Sequence, residues 1–152
     1  IIEIPTGIES SWIVDSSIVT ARHSLRKFLY IGRYERLKGI EELSKAILNL
    51  HNFFPPRLGG AEGGAFEFNF IGPIPGHLQL SCKEVIYHGQ ISSPEEIKKI
   101  MDSCDVLVLP SYSEGMPNVI IEAMSRGLAI IATDVGAVNC LVNSENGFFK
   151  LS

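Results

Sequence analysis

The side chains best suited to chemistry gather just after aliphatic runs. Gly32-Arg33 and Lys38-Gly39 follow one run, Pro110-Ser111-Tyr112-Ser113-Glu114-Gly115-Met116-Pro117 follows a second, and Thr133-Asp134-Val135-Gly136-Ala137 follows a third. Arginine offers a planar fork of donors and lysine a point charge, so Arg33 and Lys38 could flank a diphosphate. Glu122 is the sole charge in Val119-Ile120-Ile121-Glu122-Ala123-Met124. A carboxylate in apolar surroundings needs a hydrogen-bond donor, from the protein or from a ligand diol. Glu114 lies in a Gly/Pro turn ahead of the same segment. There the free N–H groups near Gly115 and Met116 can face an anionic or hydroxylated ligand. The set fits a ligand with a phosphate part and a hydroxyl-rich part. Plainer readings stand beside it: Arg33 and Lys38 as a solvated helix start, Glu114 as a surface acid, Glu122 in an internal salt bridge or on an exposed helix face.

The elements that must position these residues alternate between strand and helix. Phe28–Ile31 reads as a buried strand closed by Gly32, and Ile40, Leu43, Ile47 and Leu50 space out a helix over about 38–50. Residues 52–65, with Pro55-Pro56 and a run of glycines, read as a loop insertion. Strands are expected at 66–71 and 84–87, and Ser92-Ser93-Pro94-Glu95-Glu96 starts a helix running to about Ser103. Asp105–Leu109 reads as a strand, Pro117 opens a helix that ends at Gly127, and Leu128–Ala132 reads as the next strand. The closing residues 146–152 also read as a strand, whereas Trp12–Val14 and Ile18-Val19 fit either short strands or docking segments. Aliphatic strands without alternation, separated by helices, predict a doubly wound parallel sheet, a Rossmann-like α/β domain. In such sheets ligands bind beyond the carboxyl ends of the strands, where the three stretches fall.

Composition narrows the classes. The chain has 152 residues, room for one domain (1–152), with 45% hydrophobic and 20% charged residues. A net charge of -4 gives no electrostatic footprint for nucleic acid or anionic lipid. The longest aliphatic stretch, Leu128–Ala132, is far short of the roughly 20 residues of a membrane span. Cys82, Cys104 and Cys140 form no C-x-x-C pair and read as reduced thiols of a cytosolic protein. His23, His51, His77 and His88 lack metal-ligand spacing, so no metal site is expected. No G-x-G-x-x-G follows the first strand, Gly59–Gly64 is not a P-loop, and no G-x-S-x-G elbow occurs. Gly72-Pro73-Ile74-Pro75-Gly76 reads as a turn. Both termini fall within apolar runs with no signal-peptide features, as expected of a piece of a longer chain.

Several segments occur in the order of one family: Gly32-Arg33-x4-Lys38-Gly39, Tyr87-His88-Gly89, Leu109-Pro110-Ser111, Glu114-Gly115-Met116-Pro117-x4-Glu122-Ala123-Met124 and Thr133-Asp134-Val135-Gly136. Together they resemble the C-terminal, donor-binding domain of a retaining glycosyltransferase of family 4, with the GT-B fold. Ile4-Pro5-Thr6-Gly7-Ile8-Glu9 is similar to the segment that enters this domain. The resemblance covers nearly the whole chain, and two glutamates eight positions apart around Gly-x-Pro carry most of it.

The resemblance implies that Arg33 and Lys38 hold the donor diphosphate, Glu114 faces the donor sugar, and Glu122 takes the ribose hydroxyls. Gly115 and Met116 would offer backbone amides, and Gln90-Ile91 would border the base. It further implies a UDP- or GDP-linked sugar as donor substrate with no cofactor, and transfer with retention to a glycan or lipid-linked acceptor held by a separate N-terminal domain. The setting would be cell-surface polysaccharide synthesis in the cytoplasm or at the inner face of the membrane. This domain alone would bind donor without transferring sugar. A non-catalytic nucleotide-binding module and a GT-B nucleotide-sugar epimerase are the alternatives. One departure is Gly136-Ala137-Val138-Asn139-Cys140, where the family often has Gly-Gly-x-x-Glu.

Overall fold

The computed structural model describes residues 7–14, 26–53, 66–142 and 149–151. Six parallel strands form one sheet in the order β3-β2-β1-β4-β5-β6: β1 Lys27–Ile31, β2 Glu67–Ile71, β3 Val85–Gly89, β4 Val106–Leu109, β5 Ala129–Thr133 and β6 Phe149–Leu151. The order reverses between β1 and β4, which opens a crevice at their carboxyl ends. The helices are α1 Ile40–Phe53, α2 Pro94–Ser103, α3 Asn118–Ser125 and α4 Val138–Leu141. The expected doubly wound Rossmann-like α/β fold is the fold observed.

The two faces of the sheet are covered by different helices, as right-handed crossovers in opposite directions require. Leu29, Leu107 and Ile130 point to one face and pack with Met101 of α2, Ile120 and Ala123 of α3, and Val138 of α4. Tyr30, Phe68, Phe70, Val106 and Val108 point to the other and pack with Ile40, Leu43 and Ile47 of α1. All four β4 residues are buried, so this central strand needs apolar side chains on both faces and shows no alternation. Its start is pinned to β1 by Asp105, whose Oδ2 accepts from the backbone N–H groups of Arg26 and Lys27 at 2.9 and 2.8 Å.

Local signals set most boundaries. Ser93 caps α2 through its hydroxyl, which accepts from Glu96 N–H at 3.4 Å, with Pro94 in the first turn. The first helix departs from expectation at both ends. Arg36–Lys38 form a separate 3-10 turn, closed by Gly39 at φ 66°, and α1 begins only at Ile40. It continues to Phe53, so Asn52 and Phe53 are helical rather than the first residues of the expected 52–65 loop. The remainder of that loop, 54–65, lies outside the described residues. The third strand runs two residues past Tyr87 because it pairs with β2 as far as Gly89, across a register shift at Phe70/Ile71. Near the N-terminus, Ser10–Trp12 is a 3-10 turn whose Trp12 packs on the α2–α3 side, while Ile18-Val19 lies outside the described residues. No helix among the described residues is long and apolar enough to cross a membrane.

Candidate functional site

Three loops leave the carboxyl ends of β1, β4 and β5 and converge. The β1 loop is shaped from below by Tyr30, whose fully buried hydroxyl donates to the carbonyl of Arg33 at 3.2 Å. Burial, assisted by the nearby Glu114 and Glu35 charges, pushes the Tyr30 hydroxyl far above its ordinary titration range, so it stays a donor. The β1 loop then docks on the β4 loop, with Tyr112 N–H donating to Leu37 carbonyl at 2.7 Å. The β5 turn docks on the same segment from the other side, with Ala137 N–H donating to Gly115 carbonyl at 3.1 Å. Thr133 Oγ1 donates to the carbonyl of Ser111, tying the ends of β4 and β5 together.

This arrangement joins two of the candidate residues. Lys38 Nζ lies 2.8 Å from Glu114 Oε1, with Glu114 9% and Lys38 25% exposed in their side chains. The lysine charge is therefore matched by a nearly buried carboxylate, and an incoming anion competes with Glu114 for it. Arg33 is not drawn into this pair. Its guanidinium is 76% exposed and sits 3.2 Å from Glu35. Arg33 instead borders a cleft of about 210 Å³ with Gly32, Gly72, Pro73, Gln90 and Ile91. Gln90 and Ile91 thus share a cleft with Arg33, whereas Lys38 faces Glu114.

Glu122 lies elsewhere on the same helix system. It projects from α3 into a pocket of about 190 Å³ whose other walls are Gly7, Ile8, Glu9, Trp12, Asn118 and Ile121. Burial raises its carboxyl above the ordinary value of 4.5, and no charge or hydrogen bond offsets that burial among the described residues. The internal salt bridge, one of the two plain readings of Glu122, is absent among the described residues. Helix α3 begins after Pro117 without a side-chain cap; Ile120 N–H donates to the Pro117 carbonyl at 3.0 Å, and the Asn118 and Val119 N–H groups have no backbone acceptor among the described residues. Gly115 and Met116 lie in the turn just before it, Gly115 exposed and Met116 half-buried.

Two walls of these pockets had no ligand-facing role assigned from the sequence. Gly72 and Pro73 line the Arg33 cleft, although their segment read only as a turn. The second is the Gly7–Trp12 stretch, held over α3 by long-range contacts: Arg126 Nη1 to Trp12 carbonyl at 3.3 Å, Val14 N–H to Ser125 carbonyl at 3.1 Å, and Lys98 Nζ 4.9 Å above the Trp12 ring. A Gly-Pro pair after a strand was the available signal for the first. For the second, of the two readings of Trp12–Val14 the docking segment is the one observed. No cluster of three His, Cys, Asp or Glu that could hold a metal occurs among the described residues. His88 and His51 are instead engaged with Asn69 at 2.8 Å and Glu84 at 3.1 Å.

The site therefore offers a cation beside a carboxylate, a second cation over a cleft, and a half-buried carboxylate on α3 that has no partner among the described residues. Comparisons with known proteins identify the family of the chain. The sequence profile of the family "Glycosyl transferases group 1" matches residues 26–151. A putative teichuronic acid biosynthesis glycosyltransferase, TuaC of Bacillus subtilis (strain 168), is 39% identical over 116 residues, covering 76% of this chain and 26% of that protein. The chain thus spans about a quarter of the length of the curated relatives it matches. Among solved structures, sucrose-phosphate synthase from Thermosynechococcus elongatus superposes with a TM-score of 0.72 at 24% identity, over 97% of this chain and 38% of that one. The C-terminal domain of a glycosyl transferase group 1 family protein (LpcC) from Francisella tularensis superposes with a TM-score of 0.66 at 19% identity, over 91% of this chain and 80% of that one. The chain belongs to the group 1 glycosyltransferases, and its fold is the Rossmann-like C-terminal half of the GT-B architecture.

Proposed function

We propose that the chain is the donor-binding domain of a retaining glycosyltransferase, holding a UDP- or GDP-linked sugar for transfer to a glycan or lipid-linked acceptor. The observation that carries the reading is Glu122: a half-buried carboxylate, raised in pKa by burial and without a hydrogen-bond donor among the described residues. A cis-diol supplies two donors to such a group and recovers its desolvation cost. In this reading Glu122 takes the ribose hydroxyls. Lys38 exchanges Glu114 for the donor diphosphate, and Arg33 approaches the same phosphates from the cleft bordered by Gln90 and Ile91.

Lys38 and Arg33 then neutralise the charge that develops on the departing diphosphate, which is electrostatic stabilisation of the transition state. Glu114, released from Lys38, faces the sugar, while the amides of Gly115 and Met116 point to the sugar or phosphate. The acceptor enters on the face from which the nucleotide leaves, so the anomeric configuration is kept. The acceptor itself belongs to an N-terminal domain in the remaining length of the protein, so 1–152 binds donor without completing transfer. The relative named for teichuronic acid biosynthesis supports a biosynthetic glycosyltransferase role; the cell-surface polysaccharide setting, on the cytoplasmic side of the membrane, is part of the proposal.

The test pairs Glu122→Gln with a ribose-modified ligand. Wild type should lose about tenfold or more in affinity on going from the nucleoside diphosphate to its 2′,3′-dideoxy analogue, the worth of a charged hydrogen bond. Glu122→Gln, which keeps an acceptor but loses the charge, should discriminate less between the two forms, and Glu122→Ala should bind both alike. A wild type indifferent to the ribose hydroxyls would remove Glu122 from the site.

A further inference from the structure

We propose that Gly136 is a positioning residue for Glu114, fixing from behind the carboxylate that Lys38 grips in front. The inference rests on the donor-site reading and adds a residue to it. Gly136 adopts the left-handed backbone conformation, φ 57°, and a Cβ built on it would collide with the carbonyl oxygen and carbon of Glu114. Ala137, next in the chain, donates its N–H to the carbonyl of Gly115 at 3.1 Å. Two adjacent residues of the β5 turn therefore meet two adjacent residues of the β4 loop, one by close packing and one by a hydrogen bond. The turn is itself anchored, since Val135 N–H donates to Thr133 carbonyl at 3.0 Å and the Thr133 hydroxyl donates to the carbonyl of Ser111. Glu114 thus has no slack on its backbone side. Its carboxylate meets Lys38 at 2.8 Å on the other.

A methyl group at position 136 forces the Glu114 backbone forward or the β5 turn back, and either motion changes where the Glu114 carboxylate points. Gly89 provides a matched contrast. It is also left-handed, at φ 71°, but a Cβ there meets nothing within 4 Å. Gly89→Ala therefore carries the backbone strain of Gly136→Ala without the collision.

The experiment is calorimetric titration of the 152-residue chain and its variants with uridine and guanosine diphosphates, UDP-glucose and GDP-mannose. The readout is the ratio of sugar-nucleotide affinity to diphosphate affinity, which a general loosening of the domain leaves unmoved. Gly136→Ala should lower the sugar-nucleotide affinity about tenfold while the diphosphate affinity stays within about threefold, the signature of one misplaced charged contact. Its melting temperature should fall further than that of Gly89→Ala. Equal losses for both ligands, or no loss for either, overturn the inference. Should Gly136→Ala fail to fold, Ala137→Pro removes the N–H donated to Gly115, its ring also restraining Gly136, and should lower the same ratio about threefold or more. An unchanged ratio there is equally fatal. A wild-type chain that binds none of the four ligands ends the donor-site reading and this inference together. A wild type whose sugar nucleotides bind no better than the diphosphates takes Glu114 away from the sugar, and the inference with it. Normal wild-type ratios with unaltered variants end the inference alone.

Discussion

Removing Lys38 should strand Glu114, and the size of the loss follows from how unequally the two are buried. The ion pair spans 2.8 Å, with Glu114 9% and Lys38 25% exposed. A fully exposed pair contributes about 0–1 kcal/mol, whereas removing one partner of a fully buried pair costs about 3–5 kcal/mol. Between these limits, Lys38→Met should cost about 2 kcal/mol, because the carboxylate left behind has little access to water. Glu114→Gln should cost less, about 1 kcal/mol, because the freed ammonium is the better solvated partner. The double variant should lose less than the sum of the two single losses, by a coupling of about 1–2 kcal/mol. At about 2–4 °C per kcal/mol for a chain of this length, Lys38→Met should melt about 4–8 °C below wild type. Urea unfolding of the four members of the cycle gives the coupling directly. A coupling below about 0.3 kcal/mol, or a larger loss for Glu114→Gln than for Lys38→Met, would refute the claim that this pair is held out of water.

Other residues make separate claims. Glu122 has a carboxyl pKa raised by burial, so the folded state holds its proton to higher pH than the unfolded chain. The resulting destabilisation is absent below the ordinary value near 4.5 and grows as pH rises through the folded value. Glu122→Gln should therefore raise the melting temperature at neutral pH and leave it nearly unchanged under acid conditions, while weakening nucleotide binding; thermal scans at both pH values check the sign. Leu107→Ala empties a fully buried site in the central strand and should cost about 2–5 kcal/mol in urea unfolding, with the ligand contacts untouched. Ser93→Ala removes the exposed cap of α2, whose bond to Glu96 N–H is long at 3.4 Å, and should cost about 0.5–1 kcal/mol by the same measurement.

Much of the fold was legible because local and long-range signals agreed. Val106–Leu109 is apolar at every position because both its faces are buried, and Ser93-Pro94-Glu95-Glu96 carries its own cap, first-turn proline and dipole acids. Boundaries failed where tertiary contacts decide them. Arg36–Lys38 leave the helix because the Leu37 carbonyl takes the Tyr112 N–H, a bond between residues far apart in the chain. The candidate site was legible as a set of residues and less so as an arrangement. Lys38 and Glu114 each have the right type and position, but 76 residues separate them, and no spacing rule announces their pairing. Arg33 was expected with Lys38 around one diphosphate and lies instead with Glu35, the carboxylate two residues along the chain. The collision that makes Gly136 a glycine is invisible in sequence, because its partner is the backbone of Glu114.

The central claim is that this domain holds a nucleoside diphosphate between Lys38 and Glu122. Calorimetric titration of the wild-type chain with uridine, guanosine and adenosine diphosphates tests it most directly. Saturable one-to-one binding of at least one of them, weakened about tenfold or more in Lys38→Ala and in Glu122→Ala, is the expected result. No heat of binding with any of the three, or binding that survives both substitutions unchanged, would contradict it.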